Sequence, residues 1–249
     1  MRFSLLGILG LCGAWLMGCT EAVDLPRSGA VHPSLVVSVA DAESKALITG
    51  FQTNDQLGLC LTEGSSNAPY EGETDCFNAP FTYLASGDWR AERTINLVQT
   101  AGKAYAYFPY VEDLTDGTAI PLTNGLDRLF TTSPQSLSSS SPTAVVRLGH
   151  AMALIKLTLD SGLGTVSRVR LRKLPISGTL NLYTGQVTPS SETTLYDMEA
   201  SGREWETGVP VVPGTAVEVM VYTDQGCFVS KPGVTTVASK VYNLTIRSN

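Results

Sequence analysis

Residues 145–159 read VVRLGHAMALIKLTL, and they form the most apolar stretch of the chain after its first 18 residues. Apolar side chains recur here with the two-residue period of a β-strand, and no long amphipathic helix is indicated anywhere. Shorter stretches of the same kind flank it at Leu35–Ala40, Gln56–Leu61, Thr94–Val98, Ala104–Phe108, Arg168–Leu174, Leu180–Tyr183, Ala216–Tyr222 and Lys240–Ile246. Short strands separated by segments rich in glycine (23 residues) and proline (13 residues) are typical of β-sandwiches. We therefore predict an all-β protein.

A serine- and proline-rich stretch, Ser136–Pro142, divides the predicted strands into halves of similar size. Residues 19–34 are mostly polar, contain Pro26 and Pro33, and are typical of a flexible tether. We expect two β-sandwich domains in tandem after this tether, one formed by residues 35–141 and the other by residues 142–249. Roughly 230 residues suffice for two modest domains, each with its own core.

The first 19 residues predict export and lipidation. Arg2 precedes an apolar run from Leu5 to Met17, as in a secretory signal peptide, and the run is too short to span a bilayer comfortably. The segment Leu16-Met17-Gly18-Cys19 resembles the bacterial lipobox. We expect residues 1–18 to be removed and Cys19 to carry the acyl chains that anchor the protein in the outer membrane. The alternative is an ordinary signal peptide followed by an incidental cysteine.

Charge and cysteine content narrow the function classes. A formal net charge of −6 argues against a nucleic-acid partner, because nucleic-acid binding requires a basic surface. Export permits disulfides. Cys60 and Cys76 flank the polar residues 62–67 and form a candidate disulfide, which would leave Cys227 single. Three unpaired cysteines are an equally good reading, because sequence alone does not fix connectivity.

The chain contains few residues in patterns suited to catalysis or metal binding. His32 lies in the predicted tether, and His150 lies in the apolar stretch, where a packed core histidine is expected. Residues 162–167 lack the third glycine of a dinucleotide fingerprint, and no G-x-S-x-G motif occurs. Asp113, Asp116 and Asp127 lack the spacing of an EF-hand, so a solvated loop is favoured over a calcium site. We predict a protein that is not an enzyme and has no cofactor and no metal.

Four segments together resemble the fimbrillin-like lipoproteins of Bacteroidales, whose members build or cap type V pili. The motifs of that family are "F-x-x-x-D-x-I-G", "A-Y-Y-P-Y", "D-L-L" followed by "F-x-H-A-hydrophobic-A-x-I-K", and "K-x-Y-x-x-x-I". The matching segments of this chain are Phe51–Leu59, Ala104–Tyr110, Asp127–Phe130 with Leu148–Leu157, and Lys240–Ile246. The resemblance implies two transthyretin-like β-sandwich domains in tandem and no catalysis.

The resemblance also implies a mode of assembly. A surface protease would cut after a basic residue, here the candidate processing site Lys45, and release the strand Leu35–Ala40. The C-terminal strand of another subunit would fill the vacated groove by β-strand addition. Tyr242, Leu244 and Ile246 alternate along Lys240–Ile246 and are the candidate donor-strand side chains, although an ordinary last strand has the same pattern. The implied partners are other pilus subunits and a host protein or glycan, and the implied location is the cell surface and, after processing, the fimbrium.

Two further patterns keep alternatives open. Arg168, Arg170 and Arg172 form a basic stripe on one face of a strand, which indicates either a solvated sheet face or a contact surface for an acidic neighbouring subunit or an anionic glycan. The aromatic residues of Tyr105–Tyr110 favour core or edge packing over sugar platforms. A surface glycan-binding lipoprotein of a nutrient-uptake system is therefore the alternative function.

Overall fold

The computed structural model describes residues 30–40, 47–201, 204–207, 210–214 and 216–247. Within these residues the fold is all-β, as predicted, and the only helical segments are three short 3₁₀ turns at Tyr70–Gly72, Thr74–Cys76 and Ser161–Leu163. None of the described helices is long and apolar enough to cross a membrane.

The described residues form nineteen strands, most of them only three to seven residues long. They are β1 (Ser34–Val39), β2 (Gln56–Glu63), β3 (Ala79–Tyr83), β4 (Trp89–Ala91), β5 (Gly102–Phe108), β6 (Ile120–Thr123), β7 (Leu129–Thr131), β8 (Gln135–Leu137), β9 (Thr143–His150), β10 (Ala153–Leu159), β11 (Val166–Pro175), β12 (Ser177–Leu180), β13 (Val187–Pro189), β14 (Thr193–Asp197), β15 (Glu199–Ser201), β16 (Glu204–Glu206), β17 (Glu218–Thr223), β18 (Gly226–Ser230) and β19 (Lys240–Ile246).

The first sheet contains eight strands in the order β1-β9-β7-β5-β2-β3-β4, with β8 paired to β5. Leucines at alternate positions of β2, namely Leu57, Leu59 and Leu61, are fully buried in its core. Both edge strands supply side chains to the same core, Leu35 from β1 and Trp89 from β4. The sheet therefore curves around a single hydrophobic cluster, the first core.

Two four-stranded sheets form a sandwich from the later part of the chain. Their strand orders are β15-β16-β10-β19 and β14-β11-β17-β18. Leu157 of β10 and Ile246 of β19 on one sheet, and Val169 of β11 and Val221 of β17 on the other, are buried together in the second core. This packing of two alternating sheets face to face confirms the predicted β-sandwich class.

A three-stranded sheet and a third apolar cluster connect the two halves of the chain. In this sheet, ordered β13-β12-β6, β12 of the later half pairs with β6 of the earlier half. The third cluster contains Tyr107 and Phe130 from the earlier half and Leu182 and Val212 from the later half. β9 begins at Thr143 yet pairs within the first sheet. The division into residues 35–141 and 142–249 stays a prediction.

Three predicted strands differ from the structure. The predicted strand Leu180–Tyr183 overlaps β12 only at Leu180, and residues 182–184 form a turn. Residues 94–98 form no strand, although Ile95 and Leu97 are buried in the first core and Leu97 makes an isolated bridge with Val31. Residues 145–159 lie in two strands, because the chain bends between β9 and β10. Ala151 and Met152 at this bend belong to the third cluster, whereas the strands on either side belong to the first and second cores. We call residues 143–159, with the bend, the central ribbon.

Candidate functional site: the two terminal strands

The N-terminal strand β1 lies at the edge of the first sheet, parallel to β9. The pairing runs from Ser34 opposite Thr143 to Val39 opposite Leu148. Leu35 is buried and Val37 and Val39 pack against the first core, whereas Val36 is 55% exposed. The strand is thus held by its backbone hydrogen bonds to β9 along one edge. Every second side chain also packs against the first core.

Residues just before β1 make further backbone contacts. Leu97 N donates a hydrogen bond to Val31 O at 2.8 Å, and the His32 ring lies 2.8 Å from Ile95 O through Nδ1. His32 therefore has a packing role at the start of the strand. The segment from Val31 to Val39 therefore covers the first core beside β9.

The C-terminal strand β19 has a matching position in the second core. It lies at the edge of its sheet and pairs with β10 in parallel, with Leu244 opposite Leu157 and Ile246 opposite Leu159. Ile246 is buried, and Tyr242 and Leu244 pack against the second core. The three candidate donor residues thus share one face, as the alternation predicts.

The central ribbon carries both terminal strands. β1 runs parallel to its first half, β9, and β19 runs parallel to its second half, β10. In both pairs the terminal strand is the outermost strand of its sheet. Both terminal strands, β1 and β19, therefore pair with one continuous segment. Each of them leaves one backbone edge unpaired within the described sheets.

A buried polar link lies at the bend of the ribbon. His150 Nδ1 donates to Asp127 Oδ2 at 2.8 Å, and both side chains are almost fully buried. The same carboxylate oxygen accepts a hydrogen bond of 2.8 Å from Ile48 N, in the segment that follows β1. On the other side, Ser239 Oγ donates to His150 O immediately before β19. The Asp127–His150 pair thus connects the exit of β1 to the entry of β19.

A second polar cluster surrounds Tyr107 next to the bend. The Tyr107 hydroxyl donates to Asn78 Oδ1 at 2.6 Å and accepts from Val111 N at 3.1 Å, and burial raises its pKa. Arg128 lies 5.8 Å from the ring centroid, donates to the carbonyl of Pro109, and has its pKa lowered by burial. Gly58 packs directly against the ring, since a Cβ there would lie 2.3 Å from it. Only glycine fits beside this tyrosine.

These contacts join the motif segments noted in the sequence. Gly58 of the first motif meets Tyr107 of the second, and the Phe51 and Phe108 rings pack with centroids 5.3 Å apart. Asp127 and His150, from the two parts of the third motif, form the buried pair. These motif segments, although distant in sequence, therefore contact one another in the fold.

Cys60 and Cys76, the candidate disulfide pair, are free thiols in the structure. Cys60 alternates with Leu59 and Leu61 on β2, so it points away from the first core into the third cluster, whereas Cys76 lies in the first core. Burial raises the pKa of Cys60 to about 12 and that of Cys76 to about 11, which keeps both thiols protonated and unreactive. Cys227 is exposed on β18.

Cys19 and Lys45, the predicted lipidation and processing sites, lie outside the described residues. Among the residues that the structure describes, no group of three or more histidine, cysteine, aspartate or glutamate side chains is placed to hold a metal ion. Asp127, considered above for calcium, is instead the buried partner of His150.

Solved structures from Bacteroides and Porphyromonas share this fold. A candidate cell adhesion protein from Bacteroides uniformis is 19% identical with a TM-score of 0.63, over 88% of this chain and 95% of that one. A candidate cell adhesion protein from Bacteroides ovatus is 17% identical with a TM-score of 0.61, over 88% and 93% of the two chains. The tip fimbrial protein Mfa3 from Porphyromonas gingivalis, with a C-terminal truncation, is 10% identical with a TM-score of 0.52, over 87% and 96%.

The sequence itself matches a known family. No curated protein matches the chain. The profile of the family described as fimbrillin-like matches residues 44–249. This range includes the second core, the central ribbon, β19 and all of the first core except the residues in and before β1. The chain therefore belongs to the fimbrillin-like family.

Proposed function

We propose that this protein is a non-enzymatic cell-surface lipoprotein that acts as a fimbrial subunit or a fimbria-associated adhesin. It assembles with other pilus subunits by β-strand addition after proteolytic removal of β1. The observation that carries the proposal is the parallel docking of both terminal strands on the central ribbon, each at a sheet edge. Family membership and the fimbrial protein among the structural neighbours support the same role.

Loss of β1 would create the acceptor groove. β9 would lose its backbone partners from Thr143 to Leu148. The bonds of 2.8 Å from Ser34 N to Pro142 O and of 2.7 Å from Ala40 N to Leu148 O would be lost as well. The side of the first core now covered by Leu35 would become exposed. Unpaired backbone groups beside an apolar groove are costly in water, so the groove favours a replacement strand.

The C-terminal strand has the pattern required of that replacement. β1 presents Leu35, Val37 and Val39 to its core at every second position, and β19 presents Tyr242, Leu244 and Ile246 in the same way. Both strands already pair in parallel with the ribbon. A β19 from a neighbouring copy could therefore restore both the ladder and the apolar contacts without changing strand direction.

Limited cleavage after Lys45 tests strand addition. We expect the cleaved protein to polymerise, as measured by size-exclusion chromatography and electron microscopy, because the vacated groove then accepts the last strand of another copy. The Lys45→Gln protein, treated with trypsin in parallel, should stay monomeric. Removal of residues 240–249 should prevent polymerisation while the first core stays folded. Cleaved protein that remains folded and monomeric would contradict strand addition.

The lipid anchor is tested separately. Replacement of Cys19 by alanine should release the protein from membranes, since acyl chains on this residue are the proposed anchor. The measurement is fractionation of wild-type and Cys19→Ala cells after a salt wash, with Cys227→Ala as the matched cysteine control. A Cys19→Ala protein that still sediments with membranes would refute the lipidation.

The alternative, a surface glycan-binding lipoprotein, is less well supported. Sugar platforms need exposed ring faces, yet Tyr105, Tyr107 and Phe108 are all buried. The Tyr105 and Tyr183 rings do line a concavity of about 260 Å³, but they pack edge to face against each other at 5.1 Å. Tyr105 and Tyr107 therefore pack between the two halves, and Phe108 packs in the first core.

A further inference from the structure

The outer face of the sheet β14-β11-β17-β18 is strongly basic. Arg168, Arg170 and Arg172 alternate along β11 with Val169 and Leu171, which point into the second core. Lys173 lies at the irregular register of β11, and Lys231 follows β18 directly. We call these five cations, together with the carboxylates between them, the basic face.

Two carboxylates, those of Asp197 and Glu218, form ion pairs with all five cations. Asp197 Oδ1 lies 2.6 Å from Arg170 Nε and 3.1 Å from Arg168 Nε. The hydrogen bond from Arg170 is the main reason why the pKa of Asp197 is lowered.

Glu218 has the same role for the other cations. Its carboxylate lies 2.8 Å from Lys173 Nζ, 3.7 Å from Lys231 Nζ and 3.8 Å from Arg172 Nε. The hydrogen bond from Lys173 is the main cause of its lowered pKa. Both carboxylates are therefore ionised, and the face carries +3 in a chain whose formal net charge is −6.

Apolar side chains are interspersed with these charges. Leu195, two positions before Asp197 on β14, is 52% exposed, and Val229, opposite Met220 in the ladder of β17 and β18, is 48% exposed. Arginine, methionine and tyrosine are enriched at protein interfaces, and Met220 and Tyr222 lie half-buried among the cations. The composition is that of a contact surface more than of a purely solvated face.

A complementary surface exists in the earlier half of the chain. Residues 63–75 contain no lysine or arginine and carry four exposed carboxylates, Glu63, Glu71, Glu73 and Asp75. We call this segment the acidic loop. Its side chains border a concavity of about 390 Å³ lined by Glu63, Tyr70 and Glu71, and the Tyr70 hydroxyl fixes the loop by donating to Thr100 O at 2.6 Å.

We propose that the basic face of one copy docks on the acidic loop of a second copy, with a basic side chain of the face entering the concavity beside Glu63 and Glu71. Because the two patches differ and lie in different halves of the chain, the contact is heterologous and can repeat from copy to copy. It is independent of strand addition, since it uses neither β1 nor β19. Its contribution is electrostatic steering and fixed orientation between subunits.

Charge reversal on the intact protein tests this contact. One variant carries Arg168→Glu with Lys231→Glu, and the other carries Glu71→Lys with Glu73→Lys. Sedimentation velocity at low salt should show each variant self-associating about tenfold more weakly than wild type. An equimolar mixture of the two should recover association, because each supplies the surface that the other lacks. Association of wild type should weaken as salt rises towards about 0.5 M, where surface charges are screened.

The control variant Arg90→Glu with Arg93→Glu changes two exposed residues outside both surfaces, has the same net charge as the first variant and should associate like wild type. Equal weakening by this control, or failure of the mixture to recover, would overturn the proposal. So would loss of binding to a sulfated polysaccharide column without any change in self-association, which would assign the face to an anionic glycan. Polymerisation after Lys45 cleavage at the same rate in all variants would refute this contact and leave strand addition standing.

Discussion

Replacing Asp127 with alanine is expected to lower the free energy of unfolding by about 3–5 kcal/mol. The carboxylate accepts hydrogen bonds from the His150 ring and from Ile48 N, and the carboxylate and the ring are both buried. Without it, two buried donors lose their acceptor in a place that water does not reach. The segment after β1 and the bend of the ribbon should loosen together, because the same oxygen holds both.

Urea unfolding followed by tryptophan fluorescence measures this effect. Asp113→Ala is the matched control, since Asp113 is exposed and its removal should change stability by less than about 0.5 kcal/mol. Asp127→Asn should fall between the two, because its amide oxygen can still accept both bonds but carries no negative charge. A loss below about 1 kcal/mol for Asp127→Ala would show that the pair contributes little net stability.

Replacing Leu35 with aspartate should detach β1 from the first core. Leu35 is 5% exposed and is the most deeply buried side chain of this strand. Removing a buried leucine side chain costs about 2–5 kcal/mol, and a charge at the same place adds a desolvation penalty. Because β1 is an edge strand, the ladder to β9 should open without unfolding the second core.

Val36→Asp is the control for this variant, one residue along the same strand. Val36 is 55% exposed on the opposite face, so its replacement should leave β1 in place. Limited proteolysis should cut Leu35→Asp rapidly after Lys45 and Val36→Asp at the wild-type rate. Equal sensitivity of the two variants would mean that the inward face of β1 is wrongly assigned.

Much of the fold follows from local patterns in the sequence. Lys240–Ile246 is a strand with the predicted bounds, and β5 and β11 extend their predicted segments by only a few residues. Strands of three or four residues, such as β7, β8 and β13, are too short to show a period. Residues 94–98 look like a strand because Ile95 and Leu97 are buried, yet their backbone covers the core without joining a sheet.

The arrangement of the candidate site depends on long-range contacts that cannot be predicted from the sequence alone. The terminal strands could be identified from their alternation, but their common docking on the central ribbon could not, because parallel pairing joins residues more than 80 positions apart. The hydrogen bond at the bend joins His150 to Asp127, which is 23 residues away in sequence. The orientation of Cys60 can be predicted from the sequence, since the period of β2 places it on the side opposite Leu59 and Leu61.

Parallel docking on one ribbon also determines how the subunit bears tension. Ser34 lies beside the start of the ribbon, and Ile246 lies beside its end. A pull that separates the two chain ends therefore drags β1 and β19 lengthwise along β9 and β10. The hydrogen bonds of each ladder are then loaded in shear and must fail together, whereas a peeling force would break them one at a time. In a filament assembled by strand addition, a donor strand in the place of β1 would load the ladder to β9 in the same way.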